Sequence, residues 1–391
     1  MSVGKYTLYL RNRLNDTHKN QTQRIALLKD YTLTPPSWKC MLVAPEMAGT
    51  AGEMRWNNMA NKHAAYDLAQ MQSLPLEAKI LMAKRRIQEW YDYWDGGVYV
   101  SFSGGKDSTV LLHLVRSMYP DVQAVFVNTG LEYPEIQAFV KQHDNVTILR
   151  PSMSFNEVLG EYGYPMIGKE VAQRLYYAKR GTASALRDLD AVNSDGTYSK
   201  FKASHYGKYK PMVSLPIRFS HKCCLVMKEA PLRTFERQHH MHPIMGTMAT
   251  ESMRRKQAWM AVGCNAFEGA VPSSKPLSVW TEQDILRYLI QFNVPYCSIY
   301  GEIQEDTDGK LYTTGATRTG CIFCGFGCHH DKAPTRFQRL KQSHPKQYEY
   351  CINGGAYGDD GIWKPNSEGL GMGHVFDELN KLYGENFIKY K

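Results

Sequence analysis

The chain alternates short apolar runs with stretches whose apolar residues recur every three or four positions. The clearest such stretch begins after Pro75 and contains Leu76, Ile80, Ala83, Ile87 and Trp90. This spacing places the five side chains on one face of a helix, and a proline is well tolerated at a helix start. The apolar run at 98–102 that follows predicts a buried strand.

The same alternation continues and predicts the fold class. Helices are expected over 109–118 and in YPEIQAFVKQH, and strands in VQAVFVNTG and VTILR. Strands that alternate with helices through short links are typical of a parallel sheet with helices on both faces. We therefore predict an α/β fold of this kind with a Cys-rich C-terminal region, and further strands at 213–217 and in PIMGTMA.

Changes in composition suggest three domains. Residues 1–74 show poor periodicity and carry no motif, so they form an N-terminal extension of unassigned role. Residues 75–292 hold the α/β pattern of a nucleotide-binding domain, and residues 293–391 are rich in Gly, Tyr and Cys. Inside the α/β domain, 186–212 is expected to be a polar, mobile excursion, and Thr281 with Asp284 forms a capping signal before a helix.

The 391 residues are 43% hydrophobic and 22% charged, which is ordinary for a globular protein. No run approaches the roughly 18 consecutive apolar residues of a membrane span, and MSVGKYTLYLRNRLNDTHKN lacks the apolar centre of a secretory signal. We therefore expect a cytoplasmic protein without a membrane partner. The formal net charge of +9 favours polyanionic partners such as nucleotides or nucleic acid.

The first predicted strand ends in SGGKDS, residues 103–108, and leads directly into a helix. Two glycines allow the backbone to approach an anion closely, and the N-terminus of the helix adds partial positive charge. The lysine and the hydroxyl groups complete a cradle for a phosphate. Because the spacing differs from G-x-x-x-x-G-K-[ST], an NTPase that releases the γ-phosphate is not indicated.

The SGGKDS segment resembles the pyrophosphate (PP) loop of the adenine-nucleotide α-hydrolase superfamily, which includes ATP pyrophosphatases and phosphoadenylyl-sulfate (PAPS) reductases. The resemblance implies an enzyme that acts at the α-phosphate of ATP, or on PAPS or adenylyl sulfate (APS), with Mg²⁺ bridging the phosphate oxygens. Lys106 would offset developing negative charge, and Asp107 would hold the loop or the metal. The implied phosphate contacts are Ser103, Gly104, Gly105, Lys106, Asp107, Ser108 and Thr109.

A second segment, NTGLEYPE at 128–135, resembles the D-T-G-x-x-[FY]-P-E segment of PAPS-reductase-like proteins. It implies nucleotide contacts by Asn128, Thr129 and Gly130, with Asn128 where the family often has Asp. Because ligands bind beyond the carboxyl ends of parallel strands, this loop and the SGGKDS loop are expected to line one crevice.

A third segment, GTMATESMRR at 246–255, resembles the family string G-x-R-x-x-E-S-x-x-R. It implies contacts by Gly246, Glu251 and Ser252, while Met248 replaces the first arginine. Arg254 or Arg255 matches the last arginine, and we assign the catalytic role to Arg254. A solvated helix cap is the alternative interpretation of this segment.

The cysteines form a pair in CCLVMKEAPL and a C-x-x-C in RTGCIFCGFGC. Adjacent cysteines suit an iron–sulfur cluster better than a small zinc site. The pattern resembles that of assimilatory adenylyl-sulfate reductases and DNA-phosphorothioation proteins, with Lys228 as a basic residue after the pair. It implies a [4Fe-4S] cluster on four ligands, with structural Zn²⁺ as the alternative. The ligands are Cys223, Cys224, Cys321 and Cys324.

Cys328 is a fifth nearby thiol, and it is a redox thiol, an alternative ligand or a buried bystander. The E-C-G-[IL]-H motif of the family's reductases is not found after Cys351. The resemblance therefore favours sulfur transfer after adenylation over reduction of a sulfonucleotide.

We predict a PP-loop ATP pyrophosphatase or transferase of the PAPS-reductase-like family that adenylates an acceptor in sulfur transfer to nucleic acid or a small molecule. One alternative is a sulfonucleotide reductase with a non-standard thiol. Another is a cluster-bearing nucleic-acid-binding subunit with a regulatory nucleotide site. A sulfur-donor or reductant protein is an implied partner. The lysines and aromatic residues of 198–210 are the candidate nucleic-acid contact, with a solvated loop as the plainer interpretation.

Overall fold

A six-stranded sheet lies at the centre of the computed structural model, which describes residues 61–269 and 271–391. The strands lie in the order β3-β2-β1-β4-β6-β5, and neighbouring pairs are parallel except β6 and β5. Their bounds are β1 (Val98–Ser101), β2 (Ala124–Val127), β3 (Val146–Leu149), β4 (His242–Met245), β5 (Asn265–Ala266) and β6 (Ser273–Ser274). The α/β fold with a mostly parallel sheet and flanking helices is confirmed.

The helices fall into two groups along the described chain. The first group is α1 (Ala65–Gln72), α2 (Leu76–Tyr93), α3 (Lys106–Arg116), α4 (Pro134–Val140), α5 (Phe155–Tyr162), α6 (Lys169–Ala178), α7 (Ala183–Leu189) and α8 (Lys200–His205). The second group is α9 (Ala230–His239), α10 (Met253–Val262), α11 (Glu282–Gln291), α12 (Arg336–Ser343), α13 (Pro345–Ile352) and α14 (Met372–Tyr383).

Two small antiparallel ribbons lie in the C-terminal region. One pairs β7 (Ile303–Glu305) with β8 (Leu311–Thr313), and the other pairs β9 (Ala356–Tyr357) with β10 (Trp363–Lys364).

The apolar face of α2 that the sequence predicts is buried, with one difference. Lys79 is buried, whereas Ile80 is only partly buried. The ammonium group of Lys79 lies 2.7 Å from Oδ2 of Asp284, and both side chains are almost inaccessible to solvent. The same Oδ2 accepts hydrogen bonds from the backbone N–H and the hydroxyl of Thr281. The capping signal at Thr281 is therefore also the anchor that joins α11 to α2.

Substitution Lys79→Ala is expected to lower the free energy of unfolding by about 3–5 kcal/mol, because it leaves the Asp284 carboxylate buried without its cation. Denaturant titration followed by circular dichroism measures the loss. The double variant Lys79→Met/Asp284→Asn removes both charges and keeps an acceptor oxygen for Thr281, so it should lose much less stability. Equal losses in the two proteins would contradict a role for the ion pair.

The described residues form two large hydrophobic cores and one small cluster of Tyr99, Val125 and Phe235. The first surrounds the central sheet, with Trp90, Leu111 and Trp280 among its fully buried side chains. The second joins residues between 131 and 227 with residues between 322 and 390. Residues 59–391 cluster as one compact unit, and the second core takes side chains from both sides of the 292/293 boundary. The division into 75–292 and 293–391 stays a prediction, and residues 1–60 of the N-terminal extension lie outside the described residues.

The expected polar, mobile excursion at 186–212 is wrong, because this segment is folded. It contains part of α7, then α8, and a 3-10 helix from Gly207 that buries Tyr209. Two of its lysines pair with acidic neighbours, since Nζ of Lys202 lies 2.9 Å from Asp188 and Nζ of Lys210 lies 2.5 Å from Asp190. Apolar burial of the tyrosines offsets the polar composition. The expected strand at 213–217 is likewise absent, since the 3-10 helix extends to Ser214.

Among the described residues, no helix is long and apolar enough to cross a membrane.

Candidate active site

The order of the strands reverses at β1, and the reversal determines where a ligand can bind. Strands β2 and β3 lie on one side of β1, and β4 lies on the other. The loops after β1 and β4 therefore leave the sheet in different directions and open a crevice at its carboxyl edge. The two loops touch, because a Cβ added to Gly246 would lie 3.1 Å from the carbonyl oxygen of Asp107. A glycine at 246 thus lets the chain pass close to the SGGKDS loop.

The SGGKDS loop follows β1 and has a defined internal structure. Gly104 has a φ of +69°, and Gly105 is the N-cap residue of α3. The hydroxyls of Ser103 and Ser108 lie 3.0 Å apart, and the Ser103 N–H donates to Oγ of Ser108. The hydroxyl of Thr109 donates to the carbonyl of Gly105. These bonds hold the loop in the shape of a cradle at a helix N-terminus, where an anion is favoured.

Lys106 is the cation of this loop, and it is 3% exposed. Its Nζ lies 3.3 Å from the carbonyl oxygen of Thr317, and 3.4 Å from both Oδ1 of Asp107 and Oε1 of Glu282. Its backbone N–H donates to the hydroxyl of Tyr300. The ammonium group is therefore oriented by a loop of the C-terminal region as well as by its own helix.

Asp107 has one buried oxygen, Oδ1, that takes part in no hydrogen bond within the described residues. Oδ1 faces the Lys106 ammonium at 3.4 Å. A buried carboxylate oxygen without a hydrogen bond is a suitable ligand for a hard divalent cation.

The segment after β4 brings several charges to the same edge. Glu251 accepts a hydrogen bond from the Met248 N–H and forms ion pairs with Arg255 and Arg318. Burial, followed by repulsion from Arg318, lowers the pKa of Arg255, while Asp107 opposes the shift. Arg255 therefore pairs with Glu251, and the negative charge of Asp107 acts to raise its pKa. Arg254 is exposed, and its assigned role stays a prediction.

The loop after β2 is built around Glu132. Its carboxylate accepts hydrogen bonds from the Thr129 N–H at 3.0 Å and from the Thr129 hydroxyl at 2.7 Å. Asn128 accepts a bond from the Gly130 N–H. Glu132 is 8% exposed, and Nζ of Lys228 lies 3.6 Å from its Oε1. The segment NTGLEYPE contains Glu132 but assigns it no role, because the burial of this carboxylate depends on contacts that the local sequence does not reveal.

A small cavity of about 100 Å³ connects these elements. Its walls include Ser103 of the SGGKDS loop, Glu132, Lys228, and Thr319 with Gly320. The cavity therefore extends from the phosphate cradle to the start of the C-x-x-C turn.

The four predicted ligand cysteines lie close together. Cys223 and Cys224 begin a helical segment that continues through a π-helical turn at Leu225–Glu229. Burial raises the pKa of the Cys223 thiol, and repulsion from the other three adds to the shift. Burial also raises the pKa of Cys321 to about 11. The thiols neighbour one another, although no three His, Cys, Asp or Glu side chains of residues 61–269 and 271–391 are arranged as a ready metal site.

Lys228 links the cysteines to the loop after β2. Burial opposes its charge, yet Cys321 and Glu132 together raise the pKa of its ammonium group. The cysteine turn is attached to the same loop, because the Ile322 N–H donates to the carbonyl of Leu131 at 2.8 Å. Lys228 therefore carries positive charge between the cradle and the thiols.

Cys328 is buried at 3% exposure, and burial raises the pKa of its thiol to about 12. Its thiol is therefore neutral and shielded near pH 7, and a neutral thiol is a poor nucleophile.

More than half of the chain matches one known protein family. Residues 97–174 and 188–333 match the phosphoadenosine phosphosulfate reductase domain. Two uncharacterized proteins of Methanocaldococcus jannaschii are 22% identical over 279 residues and 24% identical over 271 residues. The alignments cover 71% and 68% of this chain, and 52% and 43% of those proteins. The chain thus spans about half the length of the curated relatives it matches.

Three solved structures show weaker similarity. The PAPS reductase of Candida auris is 13% identical, over 63% of this chain and 97% of that one, with a TM-score of 0.32. The FMN adenylyltransferase of Candida glabrata is 13% identical, over 60% and 65%, with a TM-score of 0.33. The U34-tRNA thiolase NcsA of Methanococcus maripaludis, solved with its [4Fe-4S] cluster, is 16% identical, over 56% and 66%, with a TM-score of 0.30. Similarity at this level does not indicate which reaction this chain catalyses.

Proposed function

The chain belongs to the phosphoadenosine phosphosulfate reductase domain family, and on that premise we propose that it uses ATP to adenylate an acceptor and then directs sulfur to it. The observation that carries the proposal is the cavity that extends from Ser103 of the phosphate cradle past Lys228 to Thr319 and Gly320, directly before the C-x-x-C. A cradle alone would suit any nucleotide-binding protein. A cavity wall that includes Lys228, whose pKa responds to the thiols of Cys321 and Cys224, favours a reaction in which a nucleotide-activated group meets sulfur.

ATP would bind with its phosphates on residues 103–109 at the N-terminus of α3. Lys106, held by Thr317, Asp107 and Glu282, would face the charge that develops on the α-phosphate and pyrophosphate. Arg254, or its neighbour Arg255 that contacts Glu251, would supply a second cation. Asp107 fits a Mg²⁺ ligand because its Oδ1 takes part in no hydrogen bond within the described chain.

The reaction proposed here has two displacements. An acceptor oxygen attacks the α-phosphorus of ATP, the bond to the bridging oxygen breaks, and pyrophosphate leaves with that electron pair. Hydrosulfide then attacks the acceptor carbon, the carbon–oxygen bond breaks, and AMP leaves with the oxygen. The net change replaces an acceptor oxygen by sulfur without oxidation or reduction.

The donor set suits a thiolate-bound cluster, since the four thiols are near enough to raise one another's pKa and Lys228 lies near them with an opposite charge. Cys223, Cys224, Cys321 and Cys324 would hold a [4Fe-4S] cluster, or a structural Zn²⁺ as the alternative. Such a cluster would either support sulfur delivery to the activated acceptor or hold the C-terminal region in place against the α/β core. The ammonium group of Lys228 would offset the negative charge of the bound thiolates, because it already responds to Cys321 and Cys224.

The family match also supports a second candidate, a reductase of PAPS or APS. That reaction needs a nucleophilic thiol, and Cys328 is buried with a raised pKa, so the structure favours it less. A third candidate is a cluster-bearing nucleic-acid-binding subunit with a regulatory nucleotide site. That role does not require the contacts that hold the Lys106 ammonium group.

A sulfur-donor or reductant protein as partner and a cytoplasmic location are further parts of the main proposal.

Mass spectrometry of an anaerobic reaction tests sulfur transfer. The purified protein is incubated with ATP, Mg²⁺, sodium hydrosulfide and a short RNA or DNA of mixed sequence, and the acceptor is digested to nucleosides. The proposal expects a nucleoside in which sulfur replaces oxygen, formed only when ATP is present. Formation of the same product without ATP would contradict adenylation as the activating step.

A further inference from the structure

A second cavity opens at the loop after β2. Its volume is about 330 Å³, which lies at the lower end of the range for small-molecule pockets. It shares Glu132 with the first cavity, and its wall begins at Gly130 of the loop after β2. A group bound here would therefore lie next to both the nucleotide and the C-x-x-C turn.

Two aromatic rings line this cavity. Phe323, which lies between the cysteines of the C-x-x-C, is 5% exposed and forms part of the wall. Tyr350 of α13 is 40% exposed, and its ring centroid lies 6.2 Å from that of Phe323 at an interplanar angle of 50°. A partly exposed ring at a cavity mouth is a stacking surface for a planar group.

Two amides complete the wall. Gln137 of α4 and Gln347 of α13 both line the cavity. Neither side chain forms a hydrogen bond with the described part of the chain. A primary amide donates and accepts hydrogen bonds at the same time, which is the chemistry that reads the edge of a nucleobase.

The charge around the mouth favours a polyanion. Lys346 lines the cavity and is exposed. Arg339 and Lys341 of the adjoining α12 are exposed outside the cavity wall, and Glu349 is the acidic residue of this helical pair. The carboxylate in the wall, Glu132, is paired with Lys228. Phosphates on either side of a bound base would therefore meet positive charge.

We propose that this cavity binds a base of single-stranded nucleic acid and serves as the acceptor pocket of the enzyme. A base in a duplex is stacked and cannot enter such a pocket, so a single strand or an extruded base is required. The role as acceptor pocket rests on the proposed function, whereas the binding of the strand does not. Tyr350 stacks on the base, Gln137 and Gln347 contact its edge, and Lys346 contacts a neighbouring phosphate.

Fluorescence anisotropy with a fluorescein-labelled single-stranded RNA of mixed sequence tests the pocket, with DNA of the same sequence as a second probe. Tyr350→Ala is expected to raise the Kd about tenfold or more through loss of stacking. Tyr350→Phe keeps the ring and should stay within about twofold of the native protein. Lys346→Ala should weaken binding and lower the slope of log K against log salt by about one.

Tyr357→Ala is the matched control, because Tyr357 is 53% exposed on β9 and lies outside the cavity. It should leave the Kd unchanged. A Kd that is the same for Tyr350→Ala and the native protein would overturn the pocket. Binding of uridine monophosphate without binding of either strand would also overturn it, in favour of a mononucleotide site.

The assay contains no ATP, so its outcome is separate from that of the proposed function. Tyr350-dependent strand binding with no AMP or pyrophosphate from ATP would support the pocket and contradict adenylation. AMP and pyrophosphate formation with strand binding that ignores Tyr350 would do the opposite.

Discussion

Substitution Lys106→Ala is expected to lower the rate of ATP cleavage by about a hundredfold or more, because it removes the cation oriented toward the phosphate cradle. The anaerobically purified variant should keep its full content of iron or zinc, since the cysteines do not contact Lys106. A coupled assay for pyrophosphate, run at saturating ATP and Mg²⁺ with sodium hydrosulfide and a short RNA or DNA of mixed sequence as acceptor, measures the rate. Metal analysis of the same sample measures the content.

Lys106 is buried against Asp107 and Glu282, so a loss of folding has to be separated from a loss of chemistry. Lys106→Gln keeps a hydrogen-bond donor for the carbonyl of Thr317, and a melting curve shows whether each variant is folded. Lys381→Ala is the control, because this lysine is exposed on α14 and pairs with Glu378. Native turnover in a folded Lys106→Ala protein would remove the SGGKDS loop from the mechanism.

Substitution Cys321→Ser is expected to reduce the metal content of the anaerobically purified protein to less than about a tenth of the native value. Serine oxygen is a much poorer ligand than thiolate, and Cys321 is the thiol that neighbours Lys228 and the other three cysteines. Iron, zinc and acid-labile sulfide are measured together. Iron with equal sulfide indicates a cluster, and zinc alone indicates the structural-metal alternative.

Cys264→Ser is the matched control for this loss. Cys264 lies between α10 and β5, and its pKa is raised by burial, with smaller influences from Trp259 and Arg86 rather than from the cysteine group. Its variant should keep the native metal content. Full metal in Cys321→Ser would show that the four cysteines are not the ligands.

One short segment ties the phosphate cradle to the cysteine turn. The carbonyl of Thr317 accepts from Lys106, and the hydroxyl of Thr319 lies 2.7 Å from that of Tyr300, which in turn accepts from the Lys106 N–H. Cys321 follows two residues after Thr319. The SGGKDS loop is therefore joined to the cysteine turn by hydrogen bonds to a segment that ends four residues after Thr317, at Cys321.

Local patterns predicted the parts of the site that depend on neighbouring residues. The SGGKDS loop needs glycines at a strand end and a helix start, and all of these are visible between 98 and 118. The alternation of strands and helices predicted the parallel sheet, and the rule for its carboxyl edge brought this loop together with NTGLEYPE. The burial of Glu132, by contrast, depends on Lys228, which is far away in sequence.

The missed contacts join residues that are distant along the chain. Lys79 meets Asp284 and Lys106 meets Tyr300 and Thr317, and no periodicity links such pairs. The same reason explains the error at 186–212, where polar composition suggested a loop. Tyr206 and Tyr209 are buried there within the second core, which the C-terminal region helps to form.

Phosphorus NMR of the anaerobically purified protein with Mg²⁺, ATP, sodium hydrosulfide and a short RNA or DNA of mixed sequence, beside a parallel sample with PAPS and a thiol reductant, tests the central claim most directly. The claim is that this chain cleaves ATP at the α-phosphate. The account predicts AMP and pyrophosphate from ATP. Adenosine bisphosphate from PAPS with unchanged ATP would contradict it in favour of the reductase, and ADP with inorganic phosphate would contradict cleavage at the α-phosphorus.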